Sequence, residues 1–141
     1  MLEELLIVML YSVIGIILMM VGTEFIDLII PCEFSEEITK GNTAVSHVMM
    51  GSNIAIALII RAAIMSPSFT QLEQEILAGL ASTFIYFVVG LVMLVVGYYA
   101  IALFNRKYKL SEEISEGNTA AGQVVMGLFI GIAIVVSGVI M

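Results

Sequence analysis

A ten-residue phrase stands in this chain twice. Ser35-Glu36-Glu37-Ile38-Thr39-Lys40-Gly41-Asn42-Thr43-Ala44 returns 76 residues on as Ser111-Glu112-Glu113-Ile114-Ser115-Glu116-Gly117-Asn118-Thr119-Ala120. Each copy runs directly into a long apolar stretch. Over the 30 positions that begin at Ser35 and Ser111, 15 are identical, Met50/Met126, Gly51/Gly127 and Ala57/Ala133 among them. Convergence of apolar helices does not produce this, because the polar stretch matches best. Recurrence at a fixed long period marks a duplicated structural unit. It predicts two halves, 1–66 and 67–141, folded alike and joined in one domain.

The surroundings of the phrase say where that unit lives. Of the 141 residues 61% are hydrophobic and 12% charged, and mean hydropathy is +1.14. In water, such a chain would expose apolar patches large enough to aggregate. The charges gather between four apolar stretches, at 5–30, 44–64, 76–104 and 120–141. Each is near or above the ~20 residues that cross ~30 Å of hydrocarbon. Helices satisfy their own backbone in lipid, and strand-period alternation is absent. The expected fold is all-α: a polytopic membrane protein with four transmembrane helices, embedded in the lipid bilayer.

The net charge of −7 sits mostly in short loops. No basic patch interleaved with aromatic residues exists, so nucleic acid is not an expected partner. Cys32 is the only cysteine and permits no internal disulfide. The start, Met1-Leu2-Glu3-Glu4, is acidic where a signal peptide is basic, so the first helix is expected to stay as a span. Lys40, Arg106, Lys107 and Lys109 lie in the two loops that carry the phrase, and only Arg61 lies at the other end. The positive-inside rule then puts the repeat loops in the cytoplasm and both termini outside.

Two crossings separate the copies, so both face one side. The halves are then related by a pseudo-twofold axis along the membrane normal, as in parallel repeats. Tyr11, Gly15 and Gly22 correspond to Tyr86, Gly90 and Gly97 at an offset of 75. These positions form one helical stripe, and small residues there, like Gly127 and Gly131 in the last helix, suit close packing of membrane helices.

Within the phrase, Ser35 and Ser111 suit the N-cap of a short helix, with Glu36, Glu37, Glu112 and Glu113 at its positive end. Gly41 and Gly117 suit its end. Asn42-Thr43 and Asn118-Thr119, ahead of Ala44 and Ala120, offer cap oxygens to the next helix. The phrase reads either as a turn with a cap, or as that plus a polar vestibule where the Asn-Thr pairs meet at the pseudo-axis. Pro67, Ser68, Thr70 and Glu73 resemble a start signal for the third long helix.

Polar groups at membrane depth are the natural functional candidates. Asn53 lies mid-helix in line with Ser46, Met50, Ala57 and Arg61. It reads as an interhelical hydrogen bond, worth about 0.6 kcal/mol, or as the lining of a polar path with Ser46, His47 and Glu24. His47 is the only histidine. It reads as a hydrogen-bonded or interfacial side chain, with convergence of copies in an oligomer as the metal-binding alternative. Glu24 and Asp27 mark where the first helix leaves hydrocarbon, and a proton-sensitive Glu24–His47 contact is a further option. Arg61 suits snorkelling to headgroups, and the ten methionines suit adaptable packing. No nucleophile elbow, phosphate loop, zinc helix or intramembrane aspartate pair is present. No enzyme, metal or cofactor is expected.

Gly117-Asn118-Thr119-Ala120-Ala121-Gly122 and its partner Gly41-Asn42-Thr43-Ala44-Val45-Ser46 resemble the domain-of-unknown-function 350 family, the YjfL-like bacterial inner-membrane proteins. The resemblance covers essentially the whole chain. It implies paired two-helix units, with Asn42-Thr43-Ala44 and Asn118-Thr119-Ala120 opening the second helix of each. It implies a four-helix inner-membrane protein and assigns no reaction. It also suggests a neighbourhood of envelope-stress and membrane-maintenance proteins. Val45-Ser46 departs from the commoner small pair.

Two functional readings follow. One is a homo-oligomeric structural or interaction component of the cell envelope that recruits a cytoplasmic or membrane protein through Glu36, Glu37, Glu112 and Glu113. The other is a small channel or carrier for a cation or neutral solute, formed by an oligomer and lined at Asn53.

Overall fold

The computed structural model describes residues 2–30, 32–66, 76–104 and 106–141. Four long helices cross the fold: α1 (Leu2–Ile29), α3 (Thr43–Ile64), α4 (Ile76–Phe104) and α6 (Thr119–Ile140). Two six-residue helices, α2 (Phe34–Thr39) and α5 (Leu110–Ser115), precede α3 and α6, and a 3-10 turn at Arg106–Tyr108 leads into α5. No strand occurs among the described residues. The shorter long helices have 22 residues, about 33 Å at 1.5 Å per residue, and all four are apolar enough to cross a bilayer. The protein is a multi-pass α-helical membrane protein.

Lipid explains why runs rich in Ile and Val stay helical: it offers the backbone no alternative partner. Hydroxyls within the spans follow suit. Thr83 and Ser82 donate to the Gly79 carbonyl, Ser52 to Met49 and Ser137 to Ile134.

α3 and α6 form the centre, running parallel and in close contact. Thr43 and Thr119, at matching positions of the phrase, touch hydroxyl to hydroxyl at 2.7 Å. Further along, a Cβ on Gly51 would meet the Met126 backbone at 2.6 Å, and one on Gly122 would meet the Ala44 backbone. Only glycine permits that approach. Ile56, Ile59, Leu94 and Phe129 fill the core around this pair.

α3 and α6 start at the same end, as a parallel pair of halves requires. The correspondence holds at Thr43–Thr119 and within each half, where Gly22 seats Ile56 and Gly97 seats Ile132, and fails along the α3–α6 seam. Gly51 is pressed against Met126, whereas its counterpart Gly127 has nothing within 4 Å. The two halves therefore meet through different faces.

The expected packing glycines divide in the same way. Gly22 receives Ile56 and Phe87, Gly97 receives Ile132, Gly90 receives Ile59 and Gly15 touches Ile60. These glycines seat isoleucine side chains, where the sequence suggested approach of a backbone. Among the described residues nothing lies within 4 Å of a Cβ placed on Gly127 or Gly131. Gly51, which the sequence showed only as a matched position, and Gly122, which closes the Gly117–Gly122 stretch, make the tight contacts.

The short helices begin two residues earlier than caps at Ser35 and Ser111 would set, at Phe34 and Leu110. The reason is burial, since both apolar side chains turn into the core. Neither preceding residue, Glu33 nor Lys109, makes a side-chain cap bond. Asp27, at the end of α1, accepts the Phe34 N–H at 2.7 Å in the first copy. In the second, Lys109 takes a left-handed conformation with φ 41°, unusual for a residue with a side chain, and Ser111 bonds the Tyr98 hydroxyl at 2.9 Å. The Pro67, Ser68, Thr70 and Glu73 start signal lies outside the described residues.

Candidate functional site

The repeated phrase folds into the same helix–helix junction twice. Gly41 sits at φ 82° and Gly117 at φ 86°, the left-handed conformation that glycine adopts without steric cost. Gly41 N–H donates to Ile38 and Asn42 N–H to Glu37; Gly117 N–H donates to Ile114 and Asn118 N–H to Glu113. That pair of bonds is the Schellman pattern, which satisfies the last carbonyls of a helix. The next residue caps the following helix. The Asn42 side-chain oxygen accepts from Val45 N–H, and that of Asn118 from Ala120 N–H. One glycine thus ends a short helix and one asparagine opens a span.

Thr43 and Thr119 contribute no cap; their hydroxyls bond each other. The Asn-Thr pairs of the halves do meet, through the threonines.

The second glutamate of each phrase belongs to the junction. Glu37 accepts from the Asn42 amide at 2.9 Å and Glu113 from Asn118 at 2.6 Å. Bonds from Asn42, and then Lys40, hold the Glu37 carboxyl below its usual range. Lys40 in turn is held above its usual range, first by Glu36 and then by Glu37. Glu112 does the same for Lys109. Of the four proposed recruiting carboxylates, Glu37 and Glu113 are therefore structural, while Glu36 and Glu112 stand exposed. Their ion pairs with Lys40 and Lys109 are surface pairs, worth little to stability.

The junctions differ in one respect. The Asn42 amide also donates to the Ile114 carbonyl at 3.0 Å and, more weakly, to Ser115 at 3.4 Å. It is buried against α5 of the other half, whereas Asn118 is exposed. Beside Asn118 opens a groove of about 600 Å³, walled by Ile101, Leu110, Ala121 and Val124 with Lys107 and Glu113 at its polar edge.

Asn53 meets a partner the sequence did not reveal. The Thr23 hydroxyl lies 2.6 Å from its amide oxygen and 2.9 Å from the Met19 carbonyl. One hydroxyl proton serves one of them at a time. Thr23 is buried, so this is an α1–α3 contact. A lone threonine in an apolar helix carries no signal of such a role. The remainder of the proposed path does not converge on Asn53: Ser46 bonds the Asn42 carbonyl and is exposed, as is Glu24. His47 donates from Nδ1 to the Thr43 carbonyl, one turn back in α3. No hydrogen bond joins it to Glu24 among the described residues, so the Glu24–His47 contact is absent. Glu24 points away from the α1–α3 seam, where the buried Thr23 and Ile26 point in. Among the described residues, no three His, Cys, Asp or Glu side chains converge as a metal site would require. Burial, then the charges of Asp27 and Glu37, push the Cys32 thiol up to about 11, which makes it a poor nucleophile.

The family described as Domain of Unknown Function (DUF350) matches twice, over residues 1–77 and again over 74–141. Two transmembrane relatives are similar over 90% of the chain. A UPF0719 transmembrane protein of Aquifex aeolicus is 27% identical over 128 residues, which cover 46% of its own length. The UPF0719 transmembrane protein YshE of Bacillus subtilis is 30% identical over 127 residues, 87% of its length. The chain thus spans about half of the Aquifex relative and most of the Bacillus one. No solved structure matches. With the same family found in each half, and its Asn-Thr-Ala signature forming the same junction in both, the chain belongs to the DUF350 family of membrane proteins.

Proposed function

We propose that the protein is an oligomeric structural component of the bacterial inner membrane that recruits a basic partner through its paired acidic loops. In this reading it is a tandem duplicate of a two-helix unit, with repeats at 1–66 and 67–141. The loops face the cytoplasm and the termini the outside, as the lysines and arginine near the phrase favour. The observation that carries the reading is the pairing of the loops. Asn42 to Ile114, and Thr43 to Thr119, tie the start of α3 to α5 and to the start of α6, which brings α2 and α5 to the same end of the bundle. Glu36 and Glu112 project from them as exposed carboxylates. Two acidic helices at one end of the bundle suit a cationic protein surface, because exposed carboxylates steer and select charged partners.

A conduction path through one chain has little support. The α3–α6 seam is closed by backbone contact at Gly51 and Gly122, and Asn53 is engaged by Thr23.

The test is capture from cytosol by the protein in lipid nanodiscs. Replacing Glu36 and Glu112 together by glutamine should remove the captured partner, whereas Glu3→Gln with Glu4→Gln at the opposite end should not. Capture that is indifferent to Glu36 and Glu112 rejects the reading.

A further inference from the structure

The seam between the two halves is made of two unlike faces, and the chain leaves one spare copy of each. On α3, Ala44, Val48, Gly51, Ala55, Ile59 and Ala62 are all buried. The matching residues of α6, 76 positions on, are Ala120, Val124, Gly127, Gly131, Val135 and Gly138, and all six are exposed. The opposite face shows the reverse. Gly122, Phe129, Ala133 and Ser137 of α6 are buried and Met126 is half-buried. Their counterparts on α3, Ser46, Met50, Ala57 and Arg61, are exposed, and Asn53 is half-buried. Inside the chain, the first face of α3 meets the second face of α6, with Gly51 on Met126 and Ala44 on Gly122. Among the described residues the first face of α6 has no such mate, and the second face of α3 meets no helix of the other half, its Asn53 bonding Thr23 of α1.

Three further contacts follow the same rule. Asn42 donates to the Ile114 carbonyl of the other half, while Asn118 is exposed beside an open groove of about 600 Å³. Ile114 is fully buried in the seam, whereas its counterpart Ile38 is 38% exposed. Gly90 of α4 receives Ile59 of α3, whereas Val135, the counterpart of Ile59, faces outward.

We infer that copies of this chain join head to tail, the spare face of α6 on one copy seating the spare face of α3 on the next. The new seam repeats the one already present between the halves. Gly127 lies against Met50 of the next copy, as Gly51 lies against Met126. Asn118 donates to the Ile38 and Thr39 carbonyls of the next copy, and its α2 fills the groove. Small residues at such a face let backbones approach, and in lipid that packing is what holds helices together. The match is incomplete at Ser46: its counterpart Gly122 has no Cβ where Ala44 lies, so the backbones stand further apart at that end and the closest approach falls at Gly127 and Met50. Contact between unlike faces closes into a ring, or extends as a row, according to the rotation between copies.

The proposal rests on the oligomeric part of the function above and not on partner capture. Its test is thiol crosslinking in membranes, in a Cys32→Ser background. A chain carrying both Met50→Cys and Gly127→Cys should give a ladder of dimers and higher multimers. Chains carrying one of the two should give nothing alone and dimers when co-expressed. Adding Gly127→Leu to a Thr43→Cys, Thr119→Cys chain should leave its internal disulfide intact, which shows that the fold survives. The same Gly127→Leu should shift the otherwise native protein in detergent from multimer to single chains. Dimers from either single-cysteine chain alone would mean a twofold interface, removing the head-to-tail seam while leaving oligomerisation standing. Failure of all crosslinks, with the Thr43–Thr119 disulfide formed, would remove both.

Discussion

Asn42 and Asn118 occupy the same place in the repeated phrase, so one substitution made at each provides an internally controlled measurement. Each caps a span and each bonds a glutamate of its own junction. Alanine removes those at both sites, and loss of an asparagine cap costs about 1 kcal/mol. Asn42 has an additional buried bond to the Ile114 carbonyl of the other half, and a net hydrogen bond contributes about 1 kcal/mol. Asn42→Ala should therefore cost about 2 kcal/mol and Asn118→Ala about 1, on the same two principles. The difference, about 1 kcal/mol, is roughly a fivefold change in the ratio of folded to unfolded chains. Reversible unfolding by SDS in mixed micelles, followed by circular dichroism at a dilution where the chain is single, measures both. Single chains matter, because Asn118 gains the equivalent bond only when a second copy supplies Ile38. Equal losses at the two sites, or a larger loss at Asn118, would refute the inequality of the junctions and the seam argument built on it.

Two other comparisons use the same design. In single-chain micelles Gly51→Ala should destabilise by about 1–3 kcal/mol through overpacking against Met126, whereas Gly127→Ala should be neutral or gain up to about 1 kcal/mol in helix propensity; thermal unfolding that moves equally for both contradicts the contact. A double-mutant cycle on Thr23→Val and Asn53→Leu should show a coupling of about 0.6 kcal/mol, the mean for hydrogen bonds between membrane helices, and no coupling would mean that the two side chains do not pair.

The architecture was legible in the sequence wherever polar residues punctuate it. Ser35-to-Ala44 and its return at Ser111-to-Ala120 located the junctions, their shared side and the four spans, because glycine and asparagine there have stringent backbone roles. The packing faces were not legible. α1 and α4 are apolar all round, and lipid makes outward Leu, Ile and Val as acceptable as inward ones, so no amphipathic stripe reports which side touches a neighbour. The Thr23–Asn53 bond was half visible: asparagine in a span demands a partner, but a threonine satisfied by its own helix looks the same with or without one. Ser35 and Ser111 misled for a simple reason, since the burial of Phe34 and Leu110 outweighs a favourable capping residue. The unlike faces of the seam were hidden because identical sequences at Gly51 and Gly127 occupy different surroundings.

Three residues with one glycine at their centre, Lys40-Gly41-Asn42 and Glu116-Gly117-Asn118, link α2 to α3 and α5 to α6. A short rod fixed at an angle to a long one must swing when the long one rolls. Any rotation of α3 about its own axis, whether driven by bilayer thickness or by a neighbouring molecule, therefore carries Glu36 through an arc above the lipid, and α6 moves Glu112 likewise.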